Sequence, residues 1–464
     1  MSRAALARLF VAALLVRAAF LLAEPHARTI GDEGLWRQMA REIESEEVAF
    51  SPLKTKLLSH PPLYPYFLAG SVHVLGSFQA VKWVQVLLGA LLVPAVALVA
   101  KGAGGPRVGL GAGWIAAAYP ELVWHSAHFW SEALLLTLLW WGMERVLAAD
   151  ARGGSWAAIA AGLLWGLATL TRETLLYFVP LVGLWLAWKR PRGRRPAALF
   201  LLACAFTVGQ WTLRNYIVFG AFVPVATRGS LMLLLGNTDR PWDEVSAETS
   251  RLGPVAGPRQ AFAEAIREGL SHPPAWYPRK VWREMAALWG VNNLSVIHLQ
   301  SEAYGTLPPW ANAVASAATI VPYLGLVALA VLGAAGTRVD RTRVLLLGFF
   351  LGYTLLHAAA FGFPRFRLPL LPVLFLLAAE GWIRLREGPS LGWRRTLGAV
   401  GLAAVATLVL APSLLATWRH PFLSFRGAPA PPGPEGSAGS GSSGVRHVPS
   451  TSESAGQSNP FRRA

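Results

Sequence analysis

The chain has 464 residues, 54% of them apolar and only 14% charged, and its 42 Lys and Arg against 25 Asp and Glu give a formal net charge of +17. A soluble domain carries about 25% charged residues, whereas several runs here reach the roughly 17–25 apolar residues that cross a bilayer, so the composition excludes a soluble globular fold and specifies an all-α polytopic membrane protein. The alternating segments of about ten residues that mark an outer-membrane barrel are missing, and the basic excess sits mostly in short loops, which reads as membrane topology and not as a nucleic-acid surface.

In the first apolar run, near 5–23, Arg3 and Arg8 precede "LFVAALLV" as the charged start of a signal peptide would. Arg17 interrupts its core and "AEPHA" is a poor cleavage site, so it reads as an uncleaved anchor. Ten further spans are expected near 81–100, 108–124, 129–148, 155–170, 174–188, 197–218, 314–335, 344–361, 368–383 and 396–416, about eleven in all. The run 61–78, "PPLYPYFLAGSVHVLGSF", is best left as a juxtamembrane segment. With the N-terminus in the cytoplasm, the inside loops 101–107, 189–196, 336–343 and 384–395 then carry two, five, three and four Lys or Arg, and the outside loops 125–128, 171–173 and 362–367 carry none, one and two. Counting 61–78 as a span inverts that pattern and places "KRPRGRRP" outside, against the positive-inside rule.

Two outside regions are long: 24–80, and a large loop at 219–313. In the second, "HPPAWYPRKVWREMAALWG" has the pattern of an amphipathic surface helix, with Trp276, Tyr277, Trp282, Met285 and Trp289 toward lipid. Residues 1–426 thus form one transmembrane domain, and the Gly/Ser/Pro-rich tail 427–464 lacks the apolar content to fold. There is no internal repeat. The single cysteine, Cys204, lies in an apolar run and allows no intramolecular disulfide.

The polar residues that carry chemistry lie on the outside. Asp32 and Glu33 open a helical pattern over 30–47, "IGDEGLWRQMAREIESEE". Thr29 and Asp32 fit the spacing of a capping box, so Asp32 is open to two readings, helix cap or general base. Adjacent helical residues point about 100° apart, so one acid would act and the other anchor. Lys82, Arg172, Arg214, Arg365 and Arg367 all fall at the outer lip of the membrane, where ionisable groups tend to be buried and functional. Each alone is consistent with snorkelling, or with pairing to Glu132 or Glu173. Five cations facing an acidic dyad suggest a site for an anion, most simply a phosphate. His60 precedes "PPLYP", and His125 and His128 flank a short tip. Two histidines with no third ligand nearby do not make a zinc site, and no metal or other cofactor is expected. Walker, Rossmann, nucleophile-elbow and zincin motifs are missing.

In this order "SHPPLYPYFLAG", "VKWVQVLLGALLVPAVALVA", "SEALLLTLLW", "LTRETLLYFVPLVGL", "LRNYIVFGAFVPVATRGSLMLLLGN" and "RFRLPLLPVLFLLAAEG" resemble the bacterial membrane glycosyltransferases of the protein O-mannosyltransferase and aminoarabinose-transferase superfamily over residues 1–385. The resemblance implies a GT-C fold with seven helices before the large loop. It implies a polyprenyl-phosphate sugar donor, a hydroxyl acceptor on a glycan, glycolipid or protein, inversion at the anomeric carbon, and no metal. It implies a bacterial inner membrane with the active site on the periplasmic face. Asp32 would match the family's catalytic Asp and Glu33 its second acid. His60 stands where relatives carry His or Lys, and Lys82 where many carry an Arg that contacts donor phosphate. Ser59 replaces the Glu of aminoarabinose transferases, which argues against close identity with them. A transporter or lipid flippase would instead place ionisable groups at mid-bilayer in repeat-related helices. A polysaccharide ligase or polymerase would need no acidic dyad in its first loop.

Overall fold

The computed structural model describes residues 1–24, 31–45, 53–188, 193–387 and 393–419, and among them every regular element is helical. The tail 427–464 and Thr29 lie outside the described residues. In chain order the helices are α1 (Arg3–Ala23), α2 (Asp32–Glu44), α3 (Leu53–Ser59), α4 (Leu63–Leu75), α5 (Phe78–Ala118), α6 (Pro120–Ala127), α7 (Glu132–Arg152), α8 (Ser155–Thr171), α9 (Val179–Ala187), α10 (Arg194–Phe219), α11 (Arg228–Asn237), α12 (Trp242–Arg251), α13 (Ala256–Ser271), α14 (Trp276–Trp289), α15 (Leu294–Gln300), α16 (Pro309–Ala335), α17 (Arg341–Ala359), α18 (Leu371–Glu387) and α19 (Trp393–Arg419). Two 3-10 turns, Glu173–Phe178 and Pro364–Leu370, lead into α9 and α18.

The expected spans fall largely on helix, with 108–124 broken at Tyr119 and 174–188 opening in a 3-10 turn, and among the described residues six helical segments are long and apolar enough to cross a membrane, against about eleven expected. The chain is a multi-pass membrane protein. α5 is a folded hairpin and not one rod. Gly105 has φ +86°, a conformation that favours glycine, and reverses the chain. The returning arm packs so closely that a Cβ on Gly109 would meet the Ala97 carbonyl oxygen at 2.7 Å. The 101–107 connection is therefore a tight turn between two arms. α4 has 13 residues and at 1.5 Å per residue spans about 20 Å, short of the roughly 30 Å hydrocarbon core. This fits the juxtamembrane reading of 61–78.

Arg17, the residue that interrupts the first apolar run, is fully buried. Its guanidinium donates to the carbonyls of Ala117 (2.9 Å) and Ala116 (3.2 Å), the unsatisfied C-terminal end of α5. A basic group that looks out of place in an apolar helix therefore fastens α1 to α5. The described parts of three expected inside loops lie at one end of the bundle: Arg107 pairs with Glu387 at 3.8 Å, and Arg341 with Asp150 at 3.1 Å, while 189–192 of the fourth lie outside the described residues. The two long inserts meet at the other end, where the Thr227 amide donates to the Leu58 carbonyl at 3.0 Å.

α2 explains how the first insert is held. Its buried residues are Glu33, Trp36, Met39 and Ala40, one face of a helix. Trp36 meets Tyr64 of α4 edge to face at 5.6 Å. Tyr64 in turn donates to Gln85 of α5 at 2.6 Å. Burial of each large side chain is worth roughly 1.5–3 kcal/mol. α14 departs from the sequence reading. Tyr277 and Trp282 are exposed as expected, but Trp289 turns inward onto Phe350 at 5.2 Å, because the buried face of Lys280, Glu284 and Leu288 docks on the bundle.

Candidate active site

The start of α2 fixes the acidic dyad. Gly31 is the N-cap, with φ +64° and no side-chain cap bond, and Asp32 is the first helical residue. The capping-box reading of Asp32 is thus overturned: its side chain is free for other work. Gly31 is required twice, because a Cβ there would also meet the Trp130 ring at 3.1 Å. Both acids favour the positive end of the helix dipole, but they diverge. Glu33 belongs to the buried face, where one carboxylate oxygen accepts the Phe129 amide at 2.9 Å and the other lies 4.0 Å from His298 Nε2. Asp32 faces away and pairs with Arg365 at 2.9 Å.

Arg365 is the centre of the cluster. Besides Asp32 it has Glu132 at 3.9 Å, and its guanidinium lies 4.9 Å from the Trp130 ring centroid and 5.6 Å from Phe366. Glu132, fully buried at the start of α7, also accepts from Arg172 at 2.5 Å. Arg172 closes the ring by lying 5.1 Å from Phe366. On the remaining side, His60 accepts from Arg228. The result is two carboxylates and three guanidiniums, with the histidine, converging where the two inserts meet.

Electrostatics follow from this packing. Burial alone would raise the Asp32 carboxyl, but Arg365 first and Arg228 second override it and hold it down to about 2. Burial, followed by Arg228, pushes the His60 imidazole down to about 3. His60 is therefore neutral and able to accept. His298, lowered to about 4 by burial and then by His128, is neutral beside Glu33.

The other sequence candidates lie at varying distance from this cluster. Lys82 sits nearby but on another face, 3.8 Å from Glu24 and 5.7 Å from the Phe129 ring. Arg367 is fully buried, pairs with Glu121 at 3.3 Å and stacks 4.2 Å above Tyr323. Residues two apart in a 3-10 turn are separated by about 240°, which is why Arg365 and Arg367 face opposite ways. Arg214 contacts Asn215, Trp211 and Phe219, and none of these belongs to the cluster. His125 and His128 each bond a carbonyl one turn back, and His128 also reaches Glu24 at 2.7 Å. Among the described residues no three His, Cys, Asp or Glu side chains converge as metal ligands.

An apolar cavity of about 690 Å³ opens between α9 and α10, lined among others by Leu176, Pro180, Cys204, Val208 and Phe222. Leu176 belongs to the 3-10 turn that follows Arg172, so the groove begins four residues from the cation cluster.

Residues 59–211 match the sequence family of dolichyl-phosphate-mannose-protein mannosyltransferases. That segment, less than half of the chain, carries His60, Lys82, Glu132 and Arg172. No curated protein matches the chain in sequence. Among solved structures, the oligosaccharyltransferase of Archaeoglobus fulgidus in its apo form superposes with a TM-score of 0.51 at 13% identity, over 88% of this chain and 55% of that one. The chain thus spans about half the length of that protein. ArnT from Cupriavidus metallidurans, bound to undecaprenyl phosphate, gives a TM-score of 0.40 at 14% identity over 82% of this chain and 78% of that one. The chain has the fold of GT-C membrane glycosyltransferases, and the mannosyltransferase family match is confined to residues 59–211.

Proposed function

We propose that the protein is an inverting glycosyltransferase that moves a hexosyl or pentosyl group from a polyprenyl-phosphate donor to a hydroxyl acceptor on the extracytoplasmic face of a bacterial inner membrane. The observation that carries this reading is the Asp32–Arg365 pair, 2.9 Å apart inside a ring of Glu132, Arg172, Arg228 and His60. A base and a phosphate-binding fork stand side by side there, beneath two inserts that gather at one end of the bundle. The matched family acts on a dolichyl-phosphate sugar, which supports a lipid-phosphate donor here.

The chemistry follows from the charges. Arg365, with Arg172 and Arg228, binds the donor phosphate through planar N–H donors suited to two of its oxygens. The acceptor oxygen attacks the anomeric carbon from the face opposite the phosphate. As that C–O bond forms, its proton passes to the Asp32 carboxylate, and the anomeric C–O bond breaks with its electron pair leaving on the polyprenyl phosphate. The leaving group is already an anion, so it needs charge stabilisation more than a protonating acid. Arg365 cannot grip a phosphate and keep Asp32 fully neutralised. Donor binding therefore frees the base as the electrophile arrives. Glu33 does not reach the same proton; it holds the 128–130 segment through the Phe129 amide. The groove between α9 and α10 holds the prenyl chain, and its volume is in the range of lipid and ligand sites.

Mass spectrometry of envelope glycans, glycolipids and glycoproteins from cells with and without the protein tests the reading. One hexose or pentose is expected to disappear from one class and to return on complementation. Envelopes indistinguishable in every class would reject a transferase.

A further inference from the structure

A second set of cations lies outside the Arg365 ring. Phe78, the first residue of α5, and Phe129 meet edge to face with centroids 5.7 Å apart. The Arg37 guanidinium is 5.2 Å from the Phe78 centroid and 5.6 Å from that of Phe129. Arg41 is 5.5 Å from Phe78, and the Lys82 ammonium 5.7 Å from Phe129. Three positive groups therefore crowd one aromatic pair. Of the three, Lys82 has a carboxylate 3.8 Å away, Glu24, which is shared with His128 at 2.7 Å. Arg37 and Arg41 are one helical turn apart, a spacing at which like charges repel. Arg37 Nε is buried with no hydrogen-bond partner among the described residues. An excess of positive charge with an orphaned donor is completed by an anion.

Its position gives the anion a role. Phe129 carries Arg37 and Lys82, while the next residue, Trp130, carries Arg365 at 4.9 Å. The two consecutive aromatic residues divide two cation sets, and the Phe129 amide is bonded to Glu33 at 2.9 Å. Phe78 begins a membrane-length helix, so the patch faces the level of lipid headgroups. Two guanidinium forks and an ammonium suit a group with three free oxygens better than a carboxylate.

We propose that Arg37, Arg41 and Lys82 form a second anion site that takes the phosphate monoester of a lipid-anchored acceptor and presents its hydroxyl to the acidic dyad from the side opposite the donor. This rests on the transferase reading above. It narrows the acceptor to a phosphorylated amphiphile and away from an uncharged peptide.

Full-length protein in phosphatidylcholine nanodiscs is titrated with phosphatidic acid, a lipid phosphate monoester, with phosphatidylglycerol, a diester, and with farnesyl phosphate, a short stand-in for the donor. Arg37→Gln/Arg41→Gln should weaken phosphatidic acid binding about tenfold or more, the loss expected for charge-assisted bonds. It should leave farnesyl phosphate affinity unchanged, and Arg37→Lys/Arg41→Lys should retain most of the phosphatidic acid binding. Equal weakening of both monoesters would mean one shared site and overturn the proposal. So would unchanged phosphatidic acid affinity, or phosphatidylglycerol binding as tightly, which is the behaviour of ordinary headgroup attraction. The donor reading is tested separately by Arg365→Gln, which should weaken farnesyl phosphate alone; its failure there would leave the patch standing.

Discussion

On the proposed reading, Asp32 is a general base stored in a membrane protein. Its carboxyl is held near 2 against a burial effect that acts the other way, so it stays ionised over any physiological range. The pH profile of kcat/KM is expected to show no acid limb from Asp32 above about pH 3. Arg365→Gln removes the chief counter-charge and leaves burial less opposed. The acid limb should then move to higher pH as donor affinity falls, and an unmoved limb would reject the pairing. Stability has the same sign. The folded value lies below the ordinary 3.8, so the pair stabilises the fold above that pH. About 2 kcal/mol is lost as pH falls from about 4 toward 2. Thermal midpoints measured across that window should drop less in Arg365→Gln than in the parent. Asp32, Glu33, His60 and Arg365 were all legible in the sequence, because acids and bases outside the spans of so apolar a chain stand out. Glu132 was legible only as a partner for cations, since one acid opening an apolar helix looks like a helix-dipole feature. Arg228 was not legible at all: a lone arginine in a polar loop has no pattern, and only the folding of the second insert onto His60 gives it a role.

At the level of elements, positions of helices followed from apolar length, while what each helix faces did not. The hairpin in α5 was anticipated as two spans with a basic loop, and Gly105 marks the turn. The inward turn of Trp289 was missed because an aromatic stripe is the same pattern whether it meets lipid or a neighbouring helix. The groove between α9 and α10 was likewise invisible, since it needs two helices to be packed. It offers a clean test. Gly209 lines the groove, and a Cβ added there meets nothing within 4 Å. Gly209→Phe should fold normally, as glycine is a poor helix former, and should fill the channel. We expect KM for a long-chain polyprenyl donor to rise several-fold, on the order of 1 kcal/mol of lost burial, with little change for a short prenyl donor. Equal effects on both chain lengths would place the prenyl chain elsewhere.

Across the whole molecule, one bundle keeps two chemistries apart. The described parts of the basic loops read as inside lie at one end, with pairs such as Arg341–Asp150, and the dyad with its counter-charges lies at the other. In a Cys204→Ala background, Arg194→Cys should react with a membrane-impermeant thiol reagent only from the cytoplasm, and Ala247→Cys only from outside; the reverse would overturn the assigned orientation. The expected two-sidedness rests on the charge bias of short loops, which is a property of the chain. The meeting of Asp32 with Arg365, 333 positions apart in the sequence, is a property of the fold. The most direct measurement is made on purified Asp32→Asn in lipid, comparing farnesyl phosphate affinity with single-turnover sugar transfer. Affinity at or above that of the parent with transfer reduced at least about 10²-fold is the predicted result; transfer at the parent's rate would contradict the account.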